Sequence, residues 1–186
     1  MARAPLTILT IGHSTRDLEE FIGLLRENGV RTLADVRRYP ASRRHPQFNR
    51  EALERSLPDA GIEYVATPEL GGRRTPHKDS RNTAWRNASF RGYADYMETE
   101  AWQFAIAHLL DQAGRERTAI MCAEQAWQQC HRGLISDFLK VRDVDVVHIL
   151  APGRTEPHPW TAAARIVDGE LSYAAADEPQ QQGFTF

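Results

Sequence analysis

The chain has few cysteines and few lysines: two of each in 186 residues. Two cysteines cannot build the disulfide framework of a small secreted domain, so we expect a core held by apolar packing and both cysteines as thiols. Arginine supplies the other 21 of the 23 basic residues. A general bias towards arginine is the simple explanation. The other is function, because a guanidinium can bind a phosphate or carboxylate through two parallel hydrogen bonds and an ammonium cannot.

Several familiar segments are missing. No apolar run approaches the ~18 residues of a membrane span, and the N-terminal Met-Ala-Arg-Ala-Pro shows no signal-peptide pattern. We therefore expect a cytoplasmic protein without a membrane partner. The glycine-rich phosphate-binding loops of standard nucleoside triphosphatases and dinucleotide dehydrogenases are also absent, which argues against both classes. The net charge of −2 provides no overall basic field for nucleic acid.

Apolar, β-branched runs alternate with helical patterns along most of the chain, which predicts an α/β fold with one mostly parallel sheet and helices on both faces. The predicted strands are 6–11, 32–36, 62–66, 119–122 and 144–150. The predicted helices begin after Ser14 or Thr15 as the cap, then at 50–57, at 93–112 and at Cys130. We expect a single domain over 1–176 with a core at 6–150, an irregular linker and small hairpin at 151–176, and a loose tail at 177–186.

Polar side chains follow the predicted parallel strands, at the edge where ligands bind in open α/β sheets. These side chains are His13, Ser14, Asp35, Arg37, Cys122 and Glu124. The long polar loop at 67–89 follows the third strand and reaches the same edge. The strand ends therefore predict one composite site.

The segment after the fourth strand holds both cysteines. Cys122 at the strand end is a candidate nucleophile if a neighbouring arginine or a helix N-terminus lowers its pKa. Glu124 or His13 could then move protons. The alternatives are a Cys122 that packs as a small apolar group and a Glu124 that anchors an arginine.

Cys130, His131 and Arg132 open the next helix, where backbone N–H groups favour anions and thiolates. Arg132 is a candidate anion-binding residue, in a substrate pocket or in an internal ion pair. Cys130 and His131 lie four residues before Leu134 and Ile135, so inward packing is the alternative for both.

The spacing of the two cysteines can be compared with the spacings of three known motifs. They are eight apart, so the compact Cys-x-x-Cys redox motif is absent, although a redox disulfide stays open. A zinc site would need Cys122, Cys130, His131 and His13 at a spacing that is not standard, and we predict no metal and no cofactor. A phosphatase loop with five residues between Cys and Arg does not fit either.

Arginines cluster in two windows, at 37–50 and at 73–91. Arg43, Arg44, Arg73 and Arg91 are candidate anion-binding residues, with a solvated loop surface as the alternative. Tyr93 and other aromatics lie near the second window, where they could stack bases or pack a helix.

Six motifs together resemble the bacterial domain-of-unknown-function family 488. They are I-G-H-S-T-R at 11–16, D-V-R at 35–37, S-R-R-H-P-Q-F-N at 42–49, L-G-G-R-R at 70–74, W-R-N-A-S-F-R-G-Y-A-D-Y-M at 85–97, and C-A-E with C-H-R at 122–124 and 130–132. The resemblance spans roughly residues 6–150 and implies an α/β fold with a Cys/Arg site. It implies no particular activity.

The leading hypothesis is a cysteine-dependent enzyme, a hydrolase or transferase, acting on a phosphate-bearing substrate such as a nucleotide or nucleic acid. Clustered arginines would hold the anion. The first alternative is a binding module for nucleic acid or nucleotide without catalysis. The second is a thiol redox or metal-binding protein.

Overall fold

The computed structural model describes residues 5–176. The strands are β1 (Thr7–Gly12), β2 (Thr32–Asp35), β3 (Glu63–Ala66), β4 (Thr118–Cys122), β5 (Asp145–Ala151), β6 (Arg154–Pro157), β7 (Arg165–Val167) and β8 (Glu170–Ser172). The helices are α1 (Leu18–Glu27), α2 (Arg50–Asp59), α3 (Ala88–Met97), α4 (Glu100–Arg115) and α5 (Arg132–Lys140). No helix in this range has the length and apolar character needed to cross a bilayer.

The main sheet has six strands in the order β3-β2-β4-β1-β5-β6. The first five are mutually parallel, and β6 is antiparallel to β5. The predicted α/β fold with a mostly parallel sheet is therefore confirmed. The register pairs Gly12 with Cys122 and Asp35 with Met121, so β1, β4 and β2 end side by side. This places the polar residues that follow the three strands at one edge of the sheet.

Successive strand side chains alternate between the two faces of the sheet and divide the core into two clusters. Ile8 and Ile120 face α3, α4 and α5, where Trp102 and Leu134 are fully buried. Leu9 and Leu33 face the other way, against the buried residues of α1 and α2. Each face thus covers apolar strand residues with an amphipathic helical stripe, as the sequence pattern predicts.

Two helix boundaries differ from the prediction. The helix expected at 93–112 is two helices, α3 and α4, because the Thr99 side chain caps a new start and accepts a hydrogen bond from Trp102 N. The cap of α1 is Asp17, which accepts from Glu20 N, and not Ser14 or Thr15. Ser14 instead lies in a turn with φ of 50°.

The C-terminal part of the chain is more regular than expected. The predicted irregular linker contains β6, which extends the main sheet. The predicted hairpin is confirmed as β7 and β8, joined at Asp168 and Gly169 with φ of 52° and 80°. Positive φ at both turn positions matches the twist of the two strands, and Asp-Gly tolerates it. The predicted loose tail at 177–186 lies outside the described residues.

Candidate functional site

A cleft of about 230 Å³ opens at the carboxyl edge of the sheet. Its lining includes the thiol pair on one side and aromatic and basic side chains on the other. The lining residues include Arg37, Arg38, Arg73, Tyr93, Cys122, Glu124, Cys130 and His131. The expected convergence of residues from separate strand ends is therefore present in the fold, and a segment of the long third loop also reaches the cleft.

The two cysteines meet at the cleft. Cys122 is the last residue of β4, and Cys130 follows a short 3-10 turn, Trp127–Gln129, just before α5. Both are free thiols, exposed to 1% and 4%, and their Sγ atoms lie 2.7 Å apart. Their burial is what the alternative of apolar packing expects, whereas the short distance between the two sulfurs is an additional feature. Two sulfurs this close behave as one acid–base unit.

Arg132 is buried beside the thiol pair, with only 1% of its surface exposed. Its Nε donates to Cys122 Sγ at 2.9 Å, and its Nη1 donates to Thr10 Oγ1 at 3.1 Å. Nη2 donates to the carbonyl oxygens of Glu124 and Gln125 at 2.7 and 3.2 Å. The side-chain group of the thiol pair that the Arg132 guanidinium contacts is thus Cys122 Sγ. Its remaining donors are directed at protein oxygens.

His131 joins the other sulfur to the sheet. Its Nδ1 lies 3.4 Å from Cys130 Sγ, and its Nε2 lies 2.8 Å from the carbonyl oxygen of Val36. Burial alone would lower the pKa of His131, but the neighbouring Cys130 and the bond to Val36 raise it above its usual value. A Cβ at Gly72 would lie 2.9 Å from the ring, so glycine is needed for this close approach.

The pKa values of the two cysteines are shifted in opposite directions. Burial and the hydrogen bond with Cys130 raise the pKa of Cys122 well above its usual range. Burial also opposes ionisation of Cys130, but the Cys122 S–H group, His131 and Arg132 lower the pKa of Cys130 well below its usual range. The Arg132 backbone N–H lies 3.5 Å from Cys130 Sγ as well. The guanidinium contacts Cys122, whereas the Cys122 S–H group, His131 and the Arg132 backbone N–H all lie near Cys130 and favour ionisation of Cys130 over Cys122.

Asp35 and Arg37 form a buried ion pair beside the cleft. Arg37 Nη2 and Nε donate to the two carboxylate oxygens at 2.6 and 2.8 Å, and Tyr64 donates to the same carboxylate at 2.6 Å. Arg37 Nη1 lies 3.3 Å from His13 Nε2. Burial lowers the pKa of His13 to about 4, so its ring is neutral at pH 7 and accepts this bond. His13 is not among the lining residues of the described cleft.

The other predicted binding residues divide into two groups. Arg73 is exposed on the cleft wall. Arg43 and Arg44 are exposed but do not line the cleft, Ser14 is half-buried outside it, and Arg91 donates to the carbonyl oxygen of Trp85. Proximity in sequence to the other arginines therefore does not predict which guanidinium reaches the site.

The sequence pattern also missed contributors. Arg38 lines the cleft, and its Nη1 donates to the carbonyl oxygen of Arg73 at 2.9 Å. Its position directly after Arg37, on the opposite side of an extended segment, was the available signal. Thr10, His148 and His158 are also connected to Arg132 by hydrogen bonds. They lie inside apolar runs or far along the chain, so no local motif marks them.

Cys122, Glu124 and Cys130 each offer a ligand atom, and these atoms lie within 4.8 Å of one another. Two sulfurs bound to one tetrahedral zinc ion at ~2.3 Å would lie about 3.8 Å apart. The observed 2.7 Å separation does not fit that geometry. Arg132 also occupies the side of Cys122 that a metal would share. As placed, the two sulfurs are spaced for contact with each other and not for shared tetrahedral coordination of zinc.

Comparisons with curated proteins and with solved structures found no significant match. One family model does match, over residues 17–139, and its description reads "Domain of unknown function DUF488". The match includes both cysteines, His131 and Arg132, and it covers more than half of the chain. The chain belongs to the DUF488 family.

Proposed function

We propose that the protein is a cysteine-dependent enzyme that acts on a phosphate-bearing substrate, such as a nucleotide or nucleic acid. One observation carries the proposal: the Cys130 sulfur lines the cleft, 2.7 Å from Cys122 Sγ and 3.4 Å from His131 Nδ1, and these neighbours lower its pKa. A buried thiolate with its own hydrogen-bond donors is a strong nucleophile that needs no external base. A purely structural cysteine pair has no need of this charge.

The geometry supports Cys130, and not Cys122, as the attacking atom. Cys130 Sγ would supply the electron pair of the new bond, and the leaving group would depart with its own bonding pair. The proton on Cys122 or His131 is within reach of the same sulfur and could pass to the leaving group. Glu124 is exposed on the cleft wall and could activate the second reactant, whereas a neutral His13 supports Arg37.

The cleft offers two cations to an anionic substrate. Arg38 and Arg73 line it, and within residues 5–176 the Arg73 guanidinium has no hydrogen-bond partner in the chain. Arg37 adds positive field, although the Asp35 carboxylate neutralises most of its charge. Two guanidinium forks on one wall suit a phosphate group better than a neutral substrate.

The first prediction concerns the pH profile of the thiols. We expect the rate at which iodoacetamide alkylates Cys130 to stay constant to a lower pH than for an ordinary thiol, whose rate falls about tenfold per pH unit below ~8.5. The low pKa of Cys130 is the reason, since its thiolate disappears only when the pH falls through that value. Site-resolved mass spectrometry measures the rate at each cysteine. In C130S, labelling at Cys122 should require a pH above 8.5.

Substrate charge is tested in the same assay with inorganic phosphate and a nucleoside monophosphate as protecting ligands. Either should slow alkylation of Cys130 in the wild type and lose this effect in a R38Q/R73Q double variant. The matched control is R43Q/R44Q, which removes two exposed guanidinium groups outside the cleft. If neither thiol reacts at low pH but phosphate still binds, the alternative of a binding module without catalysis replaces the proposal.

A second candidate, thiol redox chemistry, is favoured by the 2.7 Å contact between the two sulfurs. Cys130 would attack a substrate disulfide and release one thiol. Cys122 would then attack the mixed disulfide at Cys130 and release the second thiol, leaving a Cys122–Cys130 disulfide. The oxidant is the substrate disulfide, so the electrons balance.

Glutathione disulfide distinguishes this candidate. Redox chemistry predicts two glutathione molecules released per chain and an internal disulfide in the wild type. The C122S variant should stop at a stable mixed disulfide on Cys130, since no second thiol is present. A wild type that keeps one bound glutathione and forms no internal disulfide would reject the redox candidate and leave nucleophilic catalysis in place.

A further inference from the structure

A chain of buried polar groups runs from the thiol pair to the opposite end of α5. Arg132 Nη1 contacts Thr10 Oγ1 at 3.1 Å, and the same oxygen lies 2.6 Å from His148 Nδ1. His148 Nε2 lies 2.9 Å from His158 Nδ1, and His158 Nε2 lies 2.9 Å from Asp137 Oδ1. All five side chains are buried. Polar groups this deep are costly unless every one is paired.

With both histidines neutral, the side-chain hydrogens between Thr10 and Asp137 have one arrangement in which every donor has an acceptor. The Asp137 carboxylate accepts from His158 Nε2–H, which leaves His158 Nδ1 to accept from His148 Nε2–H. His148 Nδ1 then accepts the Thr10 hydroxyl hydrogen. Thr10 Oγ1 thus presents a lone pair to the Arg132 guanidinium. Burial is the largest cause that lowers the pKa of His148 to about 2, and the Arg132 charge acts in the same direction, so His148 Nδ1 remains a neutral acceptor.

The Asp137 end of this chain of polar groups is anchored by residues from the C-terminal part of the protein. Thr161 donates to Asp137 through its backbone N at 3.0 Å and through its hydroxyl, and Tyr173 donates through Oη at 2.7 Å. Trp127 stacks on the His148 ring at 4.6 Å between centroids. His158, Thr161 and Tyr173 all lie beyond residues 17–139, the segment that the family model matches.

We propose that the Thr10–His148–His158–Asp137 chain, held by residues 158–173, positions the Arg132 guanidinium against Cys122 and thereby sets the reactivity of the thiol pair. The proposal rests on the proposed function and assigns positioning roles, not catalytic ones. On this proposal, residues 158–173 contribute to the reactivity of the thiol pair.

The physical reason lies in the Thr10 hydroxyl. A hydroxyl hydrogen can rotate, and if it pointed at the guanidinium it would repel Nη1 and displace Nε from Cys122 Sγ. His148 prevents this rotation by accepting the hydrogen, and Asp137 fixes the tautomers of both histidines from the other end. Within the described residues no carboxylate bonds directly to the Arg132 guanidinium, so its position depends on Thr10, Cys122 and two backbone carbonyls.

The test compares Thr10→Val with Thr10→Ser in the alkylation assay. T10V keeps the side-chain shape but removes the oxygen, and we expect the midpoint of the Cys130 alkylation profile to rise by about one pH unit, a tenfold loss in rate at every pH below the wild-type midpoint. T10S restores the hydroxyl and should return the wild-type profile. Thermal unfolding of each variant shows whether the fold is retained.

A second pair of variants tests the distant anchor. Tyr173→Phe removes one donor to Asp137, and we expect the midpoint of the Cys130 alkylation profile to rise by less than in T10V, a two- to threefold loss in rate below the wild-type midpoint. The matched control is Tyr96→Phe, which removes a tyrosine hydrogen bond of 2.6 Å to the carbonyl oxygen of Glu69 outside the chain of polar groups. Y96F should leave the profile unchanged.

The outcomes separate the two proposals. Wild-type profiles in both T10V and Y173F would overturn the positioning role and leave the proposed function intact. An ordinary thiol profile in the wild type would overturn both, because Arg132 would then have no thiolate to hold. A shift in T10V and Y173F that T10S and Y96F do not share supports the positioning role.

Discussion

Replacing Arg132 with methionine is expected to destabilise the fold and abolish the low-pH reactivity of Cys130. Methionine fills much of the volume but leaves Cys122 Sγ, Thr10 Oγ1 and two carbonyl oxygens without a donor. Breaking a buried charged pair in this way costs about 3 to 5 kcal/mol. The thiol pair also loses its nearest permanent cation, so its pKa should rise. Urea denaturation and the alkylation profile measure the two effects.

Two controls isolate the role of the buried guanidinium. R132K keeps the charge but offers a single point of contact, so we expect an intermediate loss of stability and partial retention of the thiolate. R26M removes an exposed arginine of α1 whose hydrogen bonds within residues 5–176, both of 3.4 Å, go to the carbonyl oxygen of Ala60. It should change stability by less than about 0.5 kcal/mol. An R132M variant that keeps both its stability and the low-pH reactivity would contradict the site geometry described above.

Replacing Gly12 with alanine is expected to disrupt the site by steric overlap. The added Cβ would lie 1.8 Å from the carbonyl oxygen of Glu124 and 3.0 Å from Arg132 Nη2. No atom pair tolerates the first distance, so β1 or the segment at 123–125 must move. We expect a loss of about 3 kcal/mol in the free energy of unfolding, at the upper end for overpacked sites. The moved carbonyl should also weaken the Arg132 contacts and lower Cys130 reactivity.

Gly23→Ala is the matched control for this prediction. Gly23 lies inside α1 with no atom within 4 Å of the added Cβ, so the same chemical change should stabilise the helix by about 0.5 to 1 kcal/mol. Thermal or urea unfolding of the two variants should therefore move in opposite directions. A G12A protein as stable as the wild type would show that β1 and the loop after β4 are not in contact.

The sequence by itself determined the fold class and the location of the site. The period of the hydrophobic pattern is a local property of the sequence. Short stretches of sequence therefore predict the strands that contain Ile8, Leu33 and Ile120 and the amphipathic helices that cover them. The alternation of strands with helices then requires parallel pairing and brings His13, Arg37 and Cys122 to one edge. The break at Thr99 and the strand β6 escaped prediction because single side-chain and edge-pairing interactions decide them.

Only the tertiary structure decided how the site residues are paired. The neighbouring order of β2, β4 and β1, and their register, place Arg132 on Cys122, bring His131 to Val36 and leave Arg43 and Arg44 outside the cleft. The position of the thiolate depends on donors that converge within a few ångströms, and such distances are not encoded in spacing along the chain. The link from Asp137 to Thr10 joins residues more than 120 positions apart, which only the folded chain brings into hydrogen-bond contact.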